Sequence, residues 1–165
     1  EYDYFNIIYE SNLKIRNKNI KPAIWKMGTD IQNFIFNRLD YQIWYFETIE
    51  KKSYKIENID KFEFTFRSSV EHYYPRNPKT GAVNGEVDKY LNQFGNLCLI
   101  SRSKNSELSN YSPIAKAEHY DKSSKIESLK QQIMMTQKDN WNDDTVEKHQ
   151  IEMIELLEKK KIGHI

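Results

Sequence analysis

The sequence predicts an α+β fold, and three observations carry that expectation. Apolar residues recur at roughly 3.6-residue spacing toward both ends of the chain, Phe62, Phe64 and Phe66 alternate with polar neighbours in its middle, and "NLCLIS" at 96–101 is a second short apolar run. Helices should therefore flank a small sheet.

Taken in order, "KPAIWKMGTDIQNFIFNRLDYQIWYFETIEKK" at 21–52 reads as one long helix or two consecutive helices. Pro22 suits the first turn, and Ile31, Phe34, Ile35, Leu39, Trp44 and Phe46 form an apolar stripe. "KFEFTFRSSVEHYY" then changes period to that of a half-buried strand, which Pro75 stops. "PKTGAVNG" at 78–85 is a loop by composition, "EVDKYLNQFG" a short helix closed by Gly95, and "NLCLIS" the second strand with two leucines on one face. "RSKNSELSN" opens a helix or turn before Pro113. Residues 113–135 and 143–161 are helical, with Asp143, Asp144 or Thr145 as candidate cap of the last helix and Lys159 to Lys161 complementing its dipole. Trp25, Trp44 and Trp141 are read as core anchors.

A chain of 165 residues fits one domain: a helical part at 1–61, a core at 62–116 and C-terminal helices at 117–165. Charged residues make up 30% and aromatics 13%, a globular composition that excludes a disordered or fibrous chain. The single cysteine, Cys98, excludes an internal disulfide and a zinc site built on two thiolates. Together with the lack of a membrane-length apolar run or a signal peptide, this makes a reducing, cytoplasmic setting the expectation. The chain begins at Glu1 and is read as a fragment of a larger protein. Net charge is only +1, but 67–116 carries seven basic against four acidic residues and is the basic third. Five cations at Lys14, Arg16, Lys18, Lys21 and Lys26 could meet a phosphate backbone or form a solvated face.

The stretch "SSVEHYYPRNP" at 68–78 raises the chemical question, because it sets Glu71 beside His72 immediately before a strand break. Phosphodiester hydrolysis needs a base for the attacking water and positive charge near the phosphate. Histidine and a divalent ion supply both. Magnesium (or manganese) takes oxygen ligands and keeps several waters, so one carboxylate and one amide suffice. His72 as base, Glu71 as carboxylate and Asn105 as amide form that minimal set, with the two ligands 34 positions apart.

The order "VEHYYP", then "LNQFGNLCLISRSKN", resembles the HNH or His-Me finger endonucleases, whose ββα-metal core is two strands and a helix around one metal. More specifically, "SVEHYYP", "LNQFGNLCLISRSKNSELSN" and "PIAKAEHY" with a later tryptophan are similar to the C-terminal domain of the GmrSD-type restriction endonucleases. "FNRLDYQIW" is similar to the part that precedes the nuclease core in that family, so the resemblance covers about two thirds of the chain, most strongly 68–112. It implies a metal-dependent DNA endonuclease in bacterial defence against phage DNA, often DNA with modified bases, joined to an N-terminal nucleotide-dependent domain. It also implies that His72 is the general base, that Glu71 and Asn105 bind the metal, that Asn96 orients the histidine-bearing loop, and that Lys116 meets phosphate. Arg76, Arg102 and Lys104 flank the site as further phosphate contacts. Two positions depart from the family: Tyr73 stands where a branched aliphatic residue is usual, and His149 where arginine is frequent.

Each residue also has a structural alternative. The Glu-His pair can be a strand end, Asn105 and Asn110 can be caps or turn residues, and His119 and His149 sit on helices without carboxylates at ligand spacing. Adjacent strand residues point to opposite faces, so Glu71 and His72 converge only if the strand ends or bulges beside them. The competing function is a catalytically silent nucleic-acid-binding or interaction module on the same scaffold; a purely structural helical domain is the third reading.

Overall fold

The computed structural model describes residues 24, 27–50, 54, 56–79, 87–121 and 125–159. Pro22, Trp25, His164, most of the 78–85 loop and all five N-terminal cations lie outside them. The fold is α+β, with five α-helices and one two-stranded antiparallel sheet among the described residues.

Gly28 takes φ 52° in a 3-10 turn ending at Asp30, so the first long helix, α1 (Asn33–Thr48), starts only after this turn. A glycine tolerates that backbone and a helix does not continue through it. Helix α1 buries Ile35, Phe36, Leu39, Ile43 and Phe46, as its apolar spacing dictates.

The phenylalanine alternation does not make a strand. Phe62 forms a single parallel bridge with Ile126, while Phe64 packs edge-on against Phe62 at 4.8 Å and Trp44 at 5.9 Å, and Phe66 is 61% exposed. Only Phe62 and Phe64 join the apolar cluster that contains α1; a ladder also requires a partner strand. Only β1 (Ser69–His72) finds one, in β2 (Leu97–Ile100), with Ser69 opposite Ile100 and His72 opposite Leu97.

Strand β2 is buried at all four positions because helices cover both of its faces. Leu97 and Leu99 enter one apolar cluster with α1, while Cys98 and Ile100 enter a second with Tyr73, Tyr120 and Trp141. A short helix follows, α2 (Arg102–Leu108), capped by Ser101, whose hydroxyl accepts from Lys104 N at 3.1 Å. Next come α3 (Pro113–Asp121), α4 (Leu129–Met135) and α5 (Asp143–Glu158). Residues 113–135 are therefore two helices, not one: Ile126 pairs with Phe62, and the Ser128 side chain caps α4 by accepting from Gln131 N. None of the described helices is long and apolar enough to cross a membrane.

Among the described residues 87–95 the expected helix is absent, and several of their N–H groups have other acceptors. The Asp143 carboxylate accepts from the backbone N–H of Asp88, Lys89 and Tyr90 at 3.1–3.2 Å. Residues 89–92 turn instead, and Phe94–Asn96 forms a 3-10 helix leading into β2. Asn142, and none of the expected Asp143, Asp144 or Thr145, caps α5, accepting from Thr145 N at 3.1 Å.

Gly95 lies where this turn touches α5. A Cβ there would sit 2.3 Å from the carbonyl oxygen of Val146, and Gly95 N donates to Gln150 Oε1 at 2.8 Å. Gly95→Ala is therefore expected to destabilise the fold by roughly 1–3 kcal/mol, the range for overpacking. Urea unfolding checks this, and an unchanged midpoint contradicts the close packing of turn on helix.

Candidate active site

Strand β1 ends at His72, and the chain turns through Pro75 to form one wall of an open cleft of about 360 Å³. Glu71, His72, Arg76 and Asn77 line it from this side, Asn105, Ser109 and Asn110 from α2 and its C-terminal turn. The three residues singled out for chemistry thus border one space.

Strand alternation separates Glu71 from His72, and the strand end lets both reach the cleft. Glu71 is opposite Cys98 and shares its face; His72 is opposite Leu97 on the other. On its face Glu71 meets α3, where the fully buried Lys116 ammonium donates to Glu71 Oε1, to the carbonyl of His72 at 2.6 Å and to that of Tyr73 at 3.1 Å. Burial raises the Glu71 carboxyl above the ordinary carboxylate range and lowers the Lys116 ammonium below its own; their mutual attraction opposes both shifts.

Lys116 therefore does not occupy the position expected of a phosphate contact. All three of its donors are directed at the end of β1, and its side chain has no exposed surface. It fixes the carboxylate and the backbone on either side of the His72–Tyr73 peptide.

His72 is half-buried. Its Nε2 lies 2.9 Å from Asn92 Oδ1 and 3.2 Å from Arg76 Nε. Burial lowers the imidazole pKa below its ordinary value; the Asn92 hydrogen bond opposes that shift, and the Arg76 and Lys116 charges add to it. The lowered pKa favours the neutral ring, the form that can accept a proton.

Asn96 is fully buried in the 3-10 turn just before β2, one residue earlier than a strand residue. Its side-chain oxygen accepts from Tyr74 N at 2.8 Å and Trp141 Nε1 at 3.0 Å, while its amide donates to the carbonyls of Tyr74 at 3.0 Å and Leu91 at 2.9 Å. One carboxamide thus holds the loop after His72 to the turn that carries Asn92.

Asn105 projects from α2 beside β1, and its amide donates to Ser69 Oγ at 2.7 Å. Its carbonyl oxygen has no protein donor among the described residues. No group of three or more His, Cys, Asp or Glu side chains is placed to hold a metal among them. The candidate donors are one carboxylate and one amide.

The family of GmrSD restriction endonucleases, C-terminal domain, matches residues 10–156. The chain belongs to this family. No curated protein and no solved structure matches it. Membership makes it a restriction-type nuclease domain, for which DNA is the implied substrate.

Of the cations flanking this GmrSD-type cleft, only Arg76 lines it. Arg102 is exposed at the start of α2. Lys104 donates to Glu107 at 2.7 Å and lies 5.3 Å from the Tyr120 ring centre, so its charge is engaged away from the cleft. Neither Arg102 nor Lys104 borders the space shared by Glu71, His72 and Asn105. His119 lies 3.3 Å from Glu107, and His149 is sealed in the core beside Trp141, with burial driving its pKa well down.

Three features of the site are missing from the sequence reading. Asn92 lies inside the expected helix, Asp143 is one of three candidate caps, and Lys130 has no reading of its own there. The fully buried Lys130 ammonium donates to the carbonyls of Phe94 at 2.7 Å and Leu97 at 2.6 Å, bracing the turn from below; burial takes its pKa down to about 7. The local signal for Asn92 was its proximity to Gly95 in "LNQFG", where turn residues cluster.

Proposed function

We propose that this GmrSD C-terminal domain is an HNH, or His-Me finger, DNA endonuclease dependent on magnesium or manganese. The observation that carries this reading is the meeting of Glu71, His72 and Asn105 at one open cleft, with the imidazole half-exposed and burial holding its pKa down. The antiparallel pair β1 and β2 followed by α2 is compatible with a ββα core.

The residues fit a hard divalent cation. Asn105 offers a carbonyl oxygen not engaged by a protein donor, and Glu71 offers the carboxylate oxygen that Lys116 does not occupy. Because Lys116 cancels the charge of Glu71, the DNA phosphate must supply most of the negative charge that favours the ion. Tight metal binding without DNA is thus not expected. When bound, the ion supplies positive charge to the phosphate and the leaving oxygen.

His72 takes the proton of water, and the resulting hydroxide attacks phosphorus and displaces the 3′ oxygen, which takes a proton from solvent. The products carry 5′ phosphate and 3′ hydroxyl groups. Asn96 holds the loop that positions the imidazole, and Arg76, at the cleft, takes a phosphate oxygen. Arg102 is exposed for a more distant phosphate contact. The biological substrate is phage DNA, including DNA with modified bases, and control resides in an N-terminal nucleotide-dependent domain of the larger protein.

Asn105→Ala tests the ligand assignment. Nicking of supercoiled plasmid with magnesium should fall by at least tenfold, roughly the loss of one ligand or its orienting partner. EDTA should abolish it, and thermal unfolding should stay near wild type. Wild-type nicking by the variant removes Asn105 from the site. Salt-sensitive DNA binding with no cleavage under any divalent metal supports the silent-module reading instead.

A further inference from the structure

Asn92 stands in the "LNQFG" stretch without a role assigned to it, yet its side chain makes the shortest hydrogen bond to the His72 ring, at 2.9 Å. A neutral imidazole carries one N–H and one lone pair, and the partner of one nitrogen decides which is which. Nε2 has two neighbours with opposite demands. An oxygen of Asn92 at 2.9 Å requires a proton on Nε2, whereas the Arg76 Nε–H at 3.2 Å requires a lone pair there.

The backbone around Asn92 settles the competition. Asp143 accepts from Asp88, Lys89 and Tyr90 N, Gln93 N bonds the Tyr90 carbonyl at 3.0 Å, and Asn96 holds the Leu91 carbonyl at 2.9 Å. The same Asn96 amide holds Tyr74, two residues beyond the histidine. Both backbones joined by the His72–Asn92 contact are therefore fixed to one another. Arg76 is exposed on a flexible stem at the cleft mouth, where a guanidinium exchanges one partner for another at little cost.

We infer that Asn92 is the positioning residue of the base: its carboxamide oxygen accepts the Nε2–H of neutral His72, leaving the lone pair on Nδ1 to take the proton of the attacking water. Arg76 then gains nothing from the ring N–H and is released to an incoming phosphate. In the step itself, Nδ1 gains the proton of water as the water oxygen bonds phosphorus and the bond from phosphorus to the 3′ oxygen breaks; the departing 3′ oxygen takes a proton from solvent, and Asn92 still accepts from Nε2 of the imidazolium. The catalytic consequence rests on the nuclease reading above; the tautomer does not.

The test is nitrogen-15 histidine spectroscopy on the full chain at a pH above the imidazole titration, with His72→Gln used to assign the resonances. The wild type is expected to show His72 protonated on Nε2, as is Asn92→Asp, which keeps an acceptor oxygen in place. Asn92→Leu is expected to show a mixture of tautomers, with cleavage down by roughly 10- to 100-fold, short of losing the base altogether. A wild-type ring protonated on Nδ1, or an Asn92→Leu ring that keeps the wild-type tautomer, overturns the assignment. A ring with the expected tautomer in a wild-type protein that cleaves no DNA overturns the nuclease reading and supports the hold of Asn92 on the ring.

Discussion

His72→Ala is expected to lower DNA cleavage by roughly 10²- to 10⁴-fold, the contribution of a positioned general base. The fold should survive, because the ring is only half-buried at the end of β1 and packs into neither apolar cluster. Binding of DNA should change little, since a neutral imidazole supplies no charge to the phosphate backbone. Single-turnover cleavage with purified variant, alongside salt-dependent binding, separates the two effects. The wild type should also show where its base titrates. Protonation removes the lone pair, so activity falls on the acid side. Because burial, aided by the Arg76 and Lys116 charges, holds the His72 pKa down, that fall should begin below the ordinary histidine range, near pH 6.5 for an unperturbed ring. An acid limb centred above that range, or wild-type cleavage by the alanine variant, contradicts the assignment.

Lys116→Met should cost stability more than any other single change considered. Methionine keeps most of the length of the side chain but leaves the Glu71 carboxylate buried without its cation, and leaves two strand-end carbonyls without their donor. Breaking one half of a buried ion pair costs roughly 3–5 kcal/mol. The Glu71→Gln, Lys116→Met double variant should recover part of that loss, because the uncompensated charge is then gone even though the carbonyls remain unpaired. Urea unfolding of the two single variants and the double variant measures the coupling. If Lys116 instead met phosphate, Lys116→Met would leave stability intact and flatten the salt dependence of DNA binding. That result would overturn its place beneath the strand.

These two residues show how far the chain could be read without coordinates. The placement of His72 at a strand end was legible because its signals are local: an acidic residue before it and a proline three positions after it that ends the strand. Lys116 was misread because nothing in "PIAKAEHY" distinguishes a lysine turned into the protein from one turned out of it. Its long side chain finds acceptors 43 to 45 positions away, and only the packing of α3 against the sheet creates them. The segment 86–95 failed for a related reason. Its apolar spacing allowed a helix, but Asp88, Lys89 and Tyr90 N donate to the Asp143 carboxylate on α5, and Leu91 N and Gln93 N bond carbonyls three residues back, which closes turns in place of a helix.

The sequence by itself determined the fold class, the second strand, the helical ends and the three side chains that border the cleft, since periodicity, proline and motif order act over a few residues. The tertiary structure alone decided the polar frame behind them: the burial of Lys116 against Glu71, the clamp of Asn96 on two loops, the grip of Asp143 on the turn, and the aim of Asn92 at the imidazole. Those bonds join residues tens of positions apart, and a buried donor selects its acceptor by proximity after the helices and sheet have packed.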